Sequence, residues 1–240
     1  MNIKKFTRPA RKVLKLRYCG AVIVAAGNAT RMGGIDKAMS ELGGMPVIQR
    51  SVKAFQECDA IREIVVVTRE DLLVKVMGLC KNYDKVKAVV VGGKDRPESV
   101  SNGLNALSDK VKLAAIHDGA RPLVSFEVID RTVRAANSYG AAAPAIPVKD
   151  TIKSASGGLV TGTPDRATLR AVQTPQVLDF DLLRGALKQA QKEKLAITDD
   201  CSAVEHLGFK IKLVEGDERN IKITTPLDLK VAELFLEDMG

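Results

Sequence analysis

Histidine is scarce in this 240-residue chain: there are two, His117 and His206, too few for a metal centre built from imidazoles. Any metal it uses should be a hard cation on carboxylates and phosphates. The four cysteines, Cys19, Cys58, Cys80 and Cys201, include no C-x-x-C pair. That excludes the usual zinc patterns and a secreted disulfide scaffold, and leaves a reducing cytoplasmic location as the expectation. No apolar run approaches the roughly 20 residues a membrane helix needs, so no membrane partner is expected. Internal repeats and low-complexity segments are lacking too.

Acids are missing from residues 1–18, which hold seven Lys and Arg: Lys4, Lys5, Arg8, Arg11, Lys12, Lys15 and Arg17. The whole chain carries +8, so subtracting seven leaves +1 for residues 19–240. The basicity therefore belongs to a tail and not to a face of the body, and no nucleic-acid partner is expected. The tail lacks the apolar stretch of a secretory signal and is poor in Ser, so neither that signal nor a transit peptide fits. It suits a disordered arm, a short leading helix, or residues upstream of the true start.

What is present is an ordinary globular composition, 45% hydrophobic and 28% charged, in a chain long enough to bury a full core. Apolar runs at Ala21–Ala26, Ile61–Thr68, Lys87–Val91, Lys112–His117 and Ala141–Val148 read as strands, the first of them buried on both faces. Helices are predicted between them: from Pro46 to about Cys58, over Asp71–Lys81, from Pro97 through Leu107, and from a Ser125 cap to about Ser138. Strands alternating with helices predict an α/β fold, a doubly wound, mostly parallel Rossmann-like sheet. Residues 148–172 break the rhythm around Ser156-Gly157-Gly158 and read as a projecting β-arm, a natural surface for a homodimer. The body then comprises 19–147 and 173–240, with a helix from Phe180 to about Glu193, a helix capped at Thr198-Asp199-Asp200, a late strand at Lys210–Val214 and a final helix from Thr225.

Ligands of such sheets bind beyond the carboxyl ends of strands. The loop after Ala26 holds small residues and then Arg31 and Lys37, which suits an anion, above all phosphate. Known glycine-rich signatures do not fit. The residue two after Gly27 is Ala29, not the second glycine of a dinucleotide fingerprint, and Gly93-Lys94 is followed by Asp95, not by the Ser or Thr of a P-loop. What remains, A-A-G-x-x-T-R-M and then a lysine, resembles the opening loop of sugar-phosphate nucleotidyltransferases.

Further motifs follow in order: Gly92-Gly93-Lys-Asp-Arg96-Pro-Glu-Ser99, His117-Asp118-Gly-Ala-Arg121-Pro122, Pro147 to Lys153, Asp165-Arg166, Gln173-Thr174-Pro175-Gln176, Thr198-Asp199-Asp200-Cys-Ser202, and Val214 to Thr224 with Asn220 and Lys222. Over residues 20–238 this series resembles the 2-C-methyl-D-erythritol 4-phosphate cytidylyltransferase family. The resemblance implies transfer of a cytidylyl group from CTP to that polyol phosphate, with release of pyrophosphate, in the non-mevalonate route to isoprenoids. It implies Mg²⁺ on Asp118, and Arg31, Lys37 and Lys222 as the catalytic cations on the phosphates. By the same resemblance Ala25, Ala26, Gly27, Gly92, Gly93 and Ser99 frame the nucleotide. Arg121, Thr151, Arg166, Thr174 and Thr198 serve the acceptor, some of them from a partner subunit's arm.

Plainer readings stand beside these. Asp118 before Gly119 suits a turn, Thr198 a helix cap, and Arg166 a solvated arm. Asp199 and Asp200, adjacent on a helix, point different ways and need not work together. The chain also departs from the family pattern at Asn28-Ala29, Asp36, Lys94 and Cys201, which bears on the reach of Lys37. The alternatives are a cytidylyltransferase for another polyol phosphate such as ribitol 5-phosphate, an inactive nucleotide-binding module, or a basic nucleic-acid binder acting through the tail.

Overall fold

The computed structural model describes residues 15–27 and 37–238. Residues 28–36, with Arg31 and the Asn28-Ala29 and Asp36 departures, and residues 1–14 lie outside the described residues.

The core of the fold is a run of parallel strands. β1 (Cys19–Ala25) lies between β4 (Glu63–Thr68) and β6 (Leu113–Asp118), and β5 (Val86–Val91) flanks β4, all parallel. Of these, β1, β4 and β6 are buried on both faces and the edge strand β5 is only partly covered. β4 is buried at every residue, which is why it reads as a continuous apolar run. Beyond β6 come β11 (Gln176–Asp179), β7 (Ala141–Pro147) and β10 (Arg170–Val172), while β12 (Lys212–Glu215) pairs with β7 in parallel. The eight-stranded sheet is therefore mostly parallel, with β11 and β10 the antiparallel members. β11 escaped the sequence reading. Its four residues follow a polar Gln-Thr-Pro stretch, yet it is wedged between β6 and β7 and is buried at Gln176, Val177 and Leu178.

Helices cover both faces. α1 (Val47–Glu57) turns Val47, Ile48, Val52 and Phe55 inward. It follows a short ladder of β2 (Glu41–Leu42) and β3 (Met45–Pro46) that the sequence did not announce. α2 (Leu73–Cys80) follows β4 after a single tight turn. α4 (Phe126–Tyr139) starts where Ser125 Oγ accepts from the Val128 N–H and stops at Gly140, whose φ of 84° is left-handed. α5 (Phe180–Glu193) and α6 (Asp200–His206) pack together on the other face, beside α3 (Arg96–Asn105). The cap of α6 is Asp199 and not Thr198. Asp199 accepts from the Ser202 N–H while Ser202 Oγ accepts from the Asp199 N–H. Only a cap at Asp199 has a serine three residues on to close that box. α7 (Pro226–Glu237) opens with the equivalent pair Thr225 and Asp228, as its sequence suggests.

Residues 148–172 carry β8 (Ser154–Ser156) and β9 (Leu159–Gly162), an antiparallel hairpin separate from the main sheet. Gly157 and Gly158 both have positive φ, 58° and 81°, as a two-residue hairpin turn demands.

α3 approaches the sheet at Gly103. A Cβ there would collide with Val22 Cγ1 and lie 2.8 Å from Val67 Cγ2, both on stiff β-branched side chains. Gly103→Ala is therefore expected to lose about 1–3 kcal/mol despite its better helix propensity. Urea unfolding checks this; a variant as stable as the parent would mean that α3 can retreat from the sheet.

Candidate active site

Parallel strands end together, and here β1, β5 and β6 deliver their loops to one cavity of about 250 Å³. Of the residues singled out in the sequence, Ala25, Ala26, Gly27, Lys37, Gly93, Ser99, Asp118 and Lys222 line it, joined by Lys94, Asp95 and Arg96. Gly92 sits just behind: a Cβ there would strike Ala26 Cβ, so glycine lets the two loops touch. Ser99 Oγ accepts from the Gly93 N–H (3.0 Å) and donates to the Asp95 carbonyl (2.8 Å), tying that loop to the first turn of α3. Asp95 caps α3 by accepting from the Glu98 N–H at 2.9 Å. Lys94 adds a further cation to the wall.

The electrostatic centre is Asp118, the last residue of β6. Its side chain is 13% exposed, with Lys222 Nζ 2.7 Å from Oδ2 and Arg96 Nη2 3.3 Å from Oδ1. Arg96 Nη2 also lies 2.8 Å from Oδ2 of Asp200, whose side chain is 1% exposed. Four charges thus alternate in a row: Lys222, Asp118, Arg96, Asp200. Burial alone would raise the Asp118 carboxyl, but Arg96, Lys222 and Arg121 hold it well below the usual carboxylate range. Asp200 is pushed up by burial, with Arg96 opposing the shift. Burial likewise works against the Arg96 charge, and the two carboxylates more than restore it.

Arg96 and Asp200 are the residues that sequence reasoning missed. A cation three residues before Ser99 in a strand-end loop was the available signal for the first. Nothing local marks the second, although the expected independence of Asp199 and Asp200 holds: one caps α6 and the other faces Arg96. Cys201 is buried and gives its N–H to Gln176 Oε1 at 2.9 Å.

Behind Asp118 runs a directional hydrogen-bond chain. The Asp118 N–H donates to Thr174 Oγ1 (3.1 Å), which lies 3.0 Å from His117 Nδ1, and His117 Nε2 lies 3.2 Å from the Arg121 carbonyl. That carbonyl can only accept, so Nε2 carries the ring proton and Nδ1 accepts from the Thr174 hydroxyl. Arg121 in turn donates from Nη1 to the Asn220 carbonyl at 2.6 Å. Thr174 and Arg121 thus support the cavity from behind and do not line it. Thr151, Arg166 and Thr198 do not line it either. Thr151 and Thr198 are exposed, and Arg166 donates from Nη1 to the Lys149 carbonyl at 2.6 Å beside a shallow groove shared with Asp165 and Arg170.

His117 is fully enclosed, and burial above all pushes its imidazole down to about 4. A folded-state value below the ordinary 6.5 favours the neutral ring, so its contribution to stability is present above pH 6.5 and lost as pH falls towards 4. Between pH 7 and 4.5 this one group should cost about 2–3 kcal/mol. Urea unfolding at the two pH values checks it: His117→Gln, which cannot titrate, should lose that much less than the parent. Equal losses would show that the ring is protonated without penalty.

Comparison with known proteins now bears on this arrangement. A family model described as 2-C-methyl-D-erythritol 4-phosphate cytidylyltransferase matches residues 19–238. A protein of that name from Caldanaerobacter subterraneus subsp. tengcongensis is 47% identical over 226 residues, covering 90% of this chain and 97% of its own length. One from Geobacillus kaustophilus is 43% identical over 219 residues, covering 90% and 96%. The solved structure of 4-diphosphocytidyl-2C-methyl-D-erythritol synthase from Anaerococcus prevotii superposes with a TM-score of 0.83 at 30% identity, covering 92% of this chain and 96% of that one. With sequence and fold both matched over at least 90% of its length, the chain belongs to the 2-C-methyl-D-erythritol 4-phosphate cytidylyltransferase family.

Proposed function

We propose that this chain transfers the cytidylyl group of CTP to 2-C-methyl-D-erythritol 4-phosphate, with Mg²⁺, as a cytoplasmic homodimer. The observation that carries the reading is the cavity at the ends of β1, β5 and β6, lined by the cations Lys37, Lys94, Arg96 and Lys222, the last two paired with the Asp118 carboxylate. A phosphate oxygen of the acceptor attacks the α-phosphorus, and the bond from that phosphorus to the β-phosphate's bridging oxygen breaks, so pyrophosphate leaves. No proton needs to move and no enzyme nucleophile is needed. Catalysis is then positioning together with stabilisation of charge on phosphoryl oxygens. Lys37 and Lys222 supply that charge, Arg31 is assigned the same task by family resemblance, and Ser99 with the glycine loops orients the base. Arg121, Thr151, Arg166, Thr174 and Thr198 remain proposed for the acceptor side.

Among the described residues no group of three His, Cys, Asp or Glu side chains could hold a metal by itself. One ionised carboxylate beside a phosphate-binding cavity fits Mg²⁺ held jointly with triphosphate oxygens. Asp118 is the residue that would hold it, and the ion would supply neutralising charge at those oxygens. A dimer is supported by the apolar side chains that the hairpin leaves exposed, Leu159 at 75% and Val160 at 61%. A cytoplasmic setting is supported by four free, buried cysteines, and among the described residues no helix is long and apolar enough to cross a membrane.

Pyrophosphate release with CTP and Mg²⁺ tests the reading, comparing 2-C-methyl-D-erythritol 4-phosphate with ribitol 5-phosphate. Release is expected with the first acceptor, and Lys222→Ala should lower kcat/KM by about 10²–10³, the scale for removing one stabiliser of transition-state charge. Preference for ribitol 5-phosphate would replace the acceptor. Release with neither would leave a nucleotide-binding module without transferase activity.

A further inference from the structure

We propose that Asn220 is a positioning residue for cytidylyl transfer: its side-chain amide holds the Lys222 loop to the same residue that holds Asp118. The inference rests on the reading of Lys222 as a nucleotide-binding cation given above.

Lys222 lies on the stretch between β12 and α7, which has no helix or ladder of its own to fix it. After Lys222 the fastening is main chain to main chain, from the Ile223 N–H to the Ala120 carbonyl at 2.8 Å. Before it, the fastening falls to side chains. The Gln173 carboxamide grips the Asp217 backbone at two points, donating from Nε2 to its carbonyl (2.7 Å) and accepting its N–H at Oε1 (3.2 Å). Asn220 donates from Nδ2 to the Thr174 carbonyl at 2.9 Å, while its own carbonyl accepts from Arg121.

Thr174 is therefore a common anchor. Its hydroxyl takes the Asp118 N–H and its carbonyl takes the Asn220 amide, two residues before Lys222. The two partners of the 2.7 Å ion pair are thus both referred to one residue. Asn220 is 0% exposed, and its Oδ1 is buried with no partner among the described residues. A buried amide with one atom unpaired is a poor choice for stability alone, because the unmet group keeps its desolvation cost. Its donor is what the geometry uses.

Asn220→Asp keeps the shape and removes the donor. Steady-state transfer is measured for the parent, Asn220→Asp, Lys222→Ala and the double variant. The expected result is a tenfold or larger fall in kcat for Asn220→Asp, with KM for CTP within threefold of the parent. In the Lys222→Ala background the same substitution should cost less than twofold, because a residue acting through Lys222 has nothing left to position. A tenfold further loss in that background, or an unchanged kcat in the single variant, overturns the inference. Should Asn220→Asp fail to fold, Gln173→Glu, which removes the donation to Asp217, reads the same cycle with the same criteria. A parent enzyme that turns over while losses add across the cycle overturns this inference alone; a parent that transfers no cytidylyl group overturns the reading beneath it as well.

Discussion

A carboxylate shut away from most water stays ionised only beside positive charge, and Asp118 meets that condition between Arg96 and Lys222. Arg96 is itself balanced on its far side by Asp200. Each member of this row comes from a different place: the end of β6, the start of α3, the loop before α7, and the first turn of α6. The sheet must bring all four together before any of them has its partner, and removing either cation would leave a charge uncompensated in the cavity wall.

The antiparallel insertion of β11 explains how the wall is backed. β11 runs beside β6, so Thr174, two residues before it, arrives level with Asp118 and can take its N–H. The neutral imidazole of His117 completes that contact by accepting the threonine proton. On the opposite side the same segment, through Gln173 and the Thr174 carbonyl, fastens the loop of Lys222. A short strand of little sequence signal thereby links the acid and the base of the central ion pair.

Much of the fold was legible in the sequence because β1, β4 and β6 are buried on both faces and read as unbroken apolar runs. The caps at Ser125 and Thr225 were legible because their chemistry is local. β11 was not: four residues beside a polar stretch carry no periodicity, and its place in the sheet is fixed by pairing with strands about 35 and 60 residues away. The cap of α6 was placed one residue early because Thr and Asp are both good caps, and only the serine three positions on separates them. At the site, Lys37, Lys222 and Asp118 stood out as motif residues. The pairing of Arg96 with Asp200 did not, since no spacing rule joins residues 104 apart. Thr151, Arg166 and Thr198 were read from resemblance, and none of them lines the cavity, while Arg31 lies outside the described residues.

We propose that Asp118, held ionised between two cations, would receive the metal-bound triphosphate. Calorimetric binding of CTP to the parent and to Asp118→Asn, each with Mg²⁺ and with a chelator, tests it most directly. Without metal, Asp118→Asn should bind CTP at least as tightly as the parent, because Lys222 no longer faces a competing carboxylate and Arg96 faces only Asp200. Mg²⁺ should then strengthen binding to the parent at least tenfold and leave the variant within about threefold of its chelated value. An equal gain from Mg²⁺ in both proteins would contradict the account.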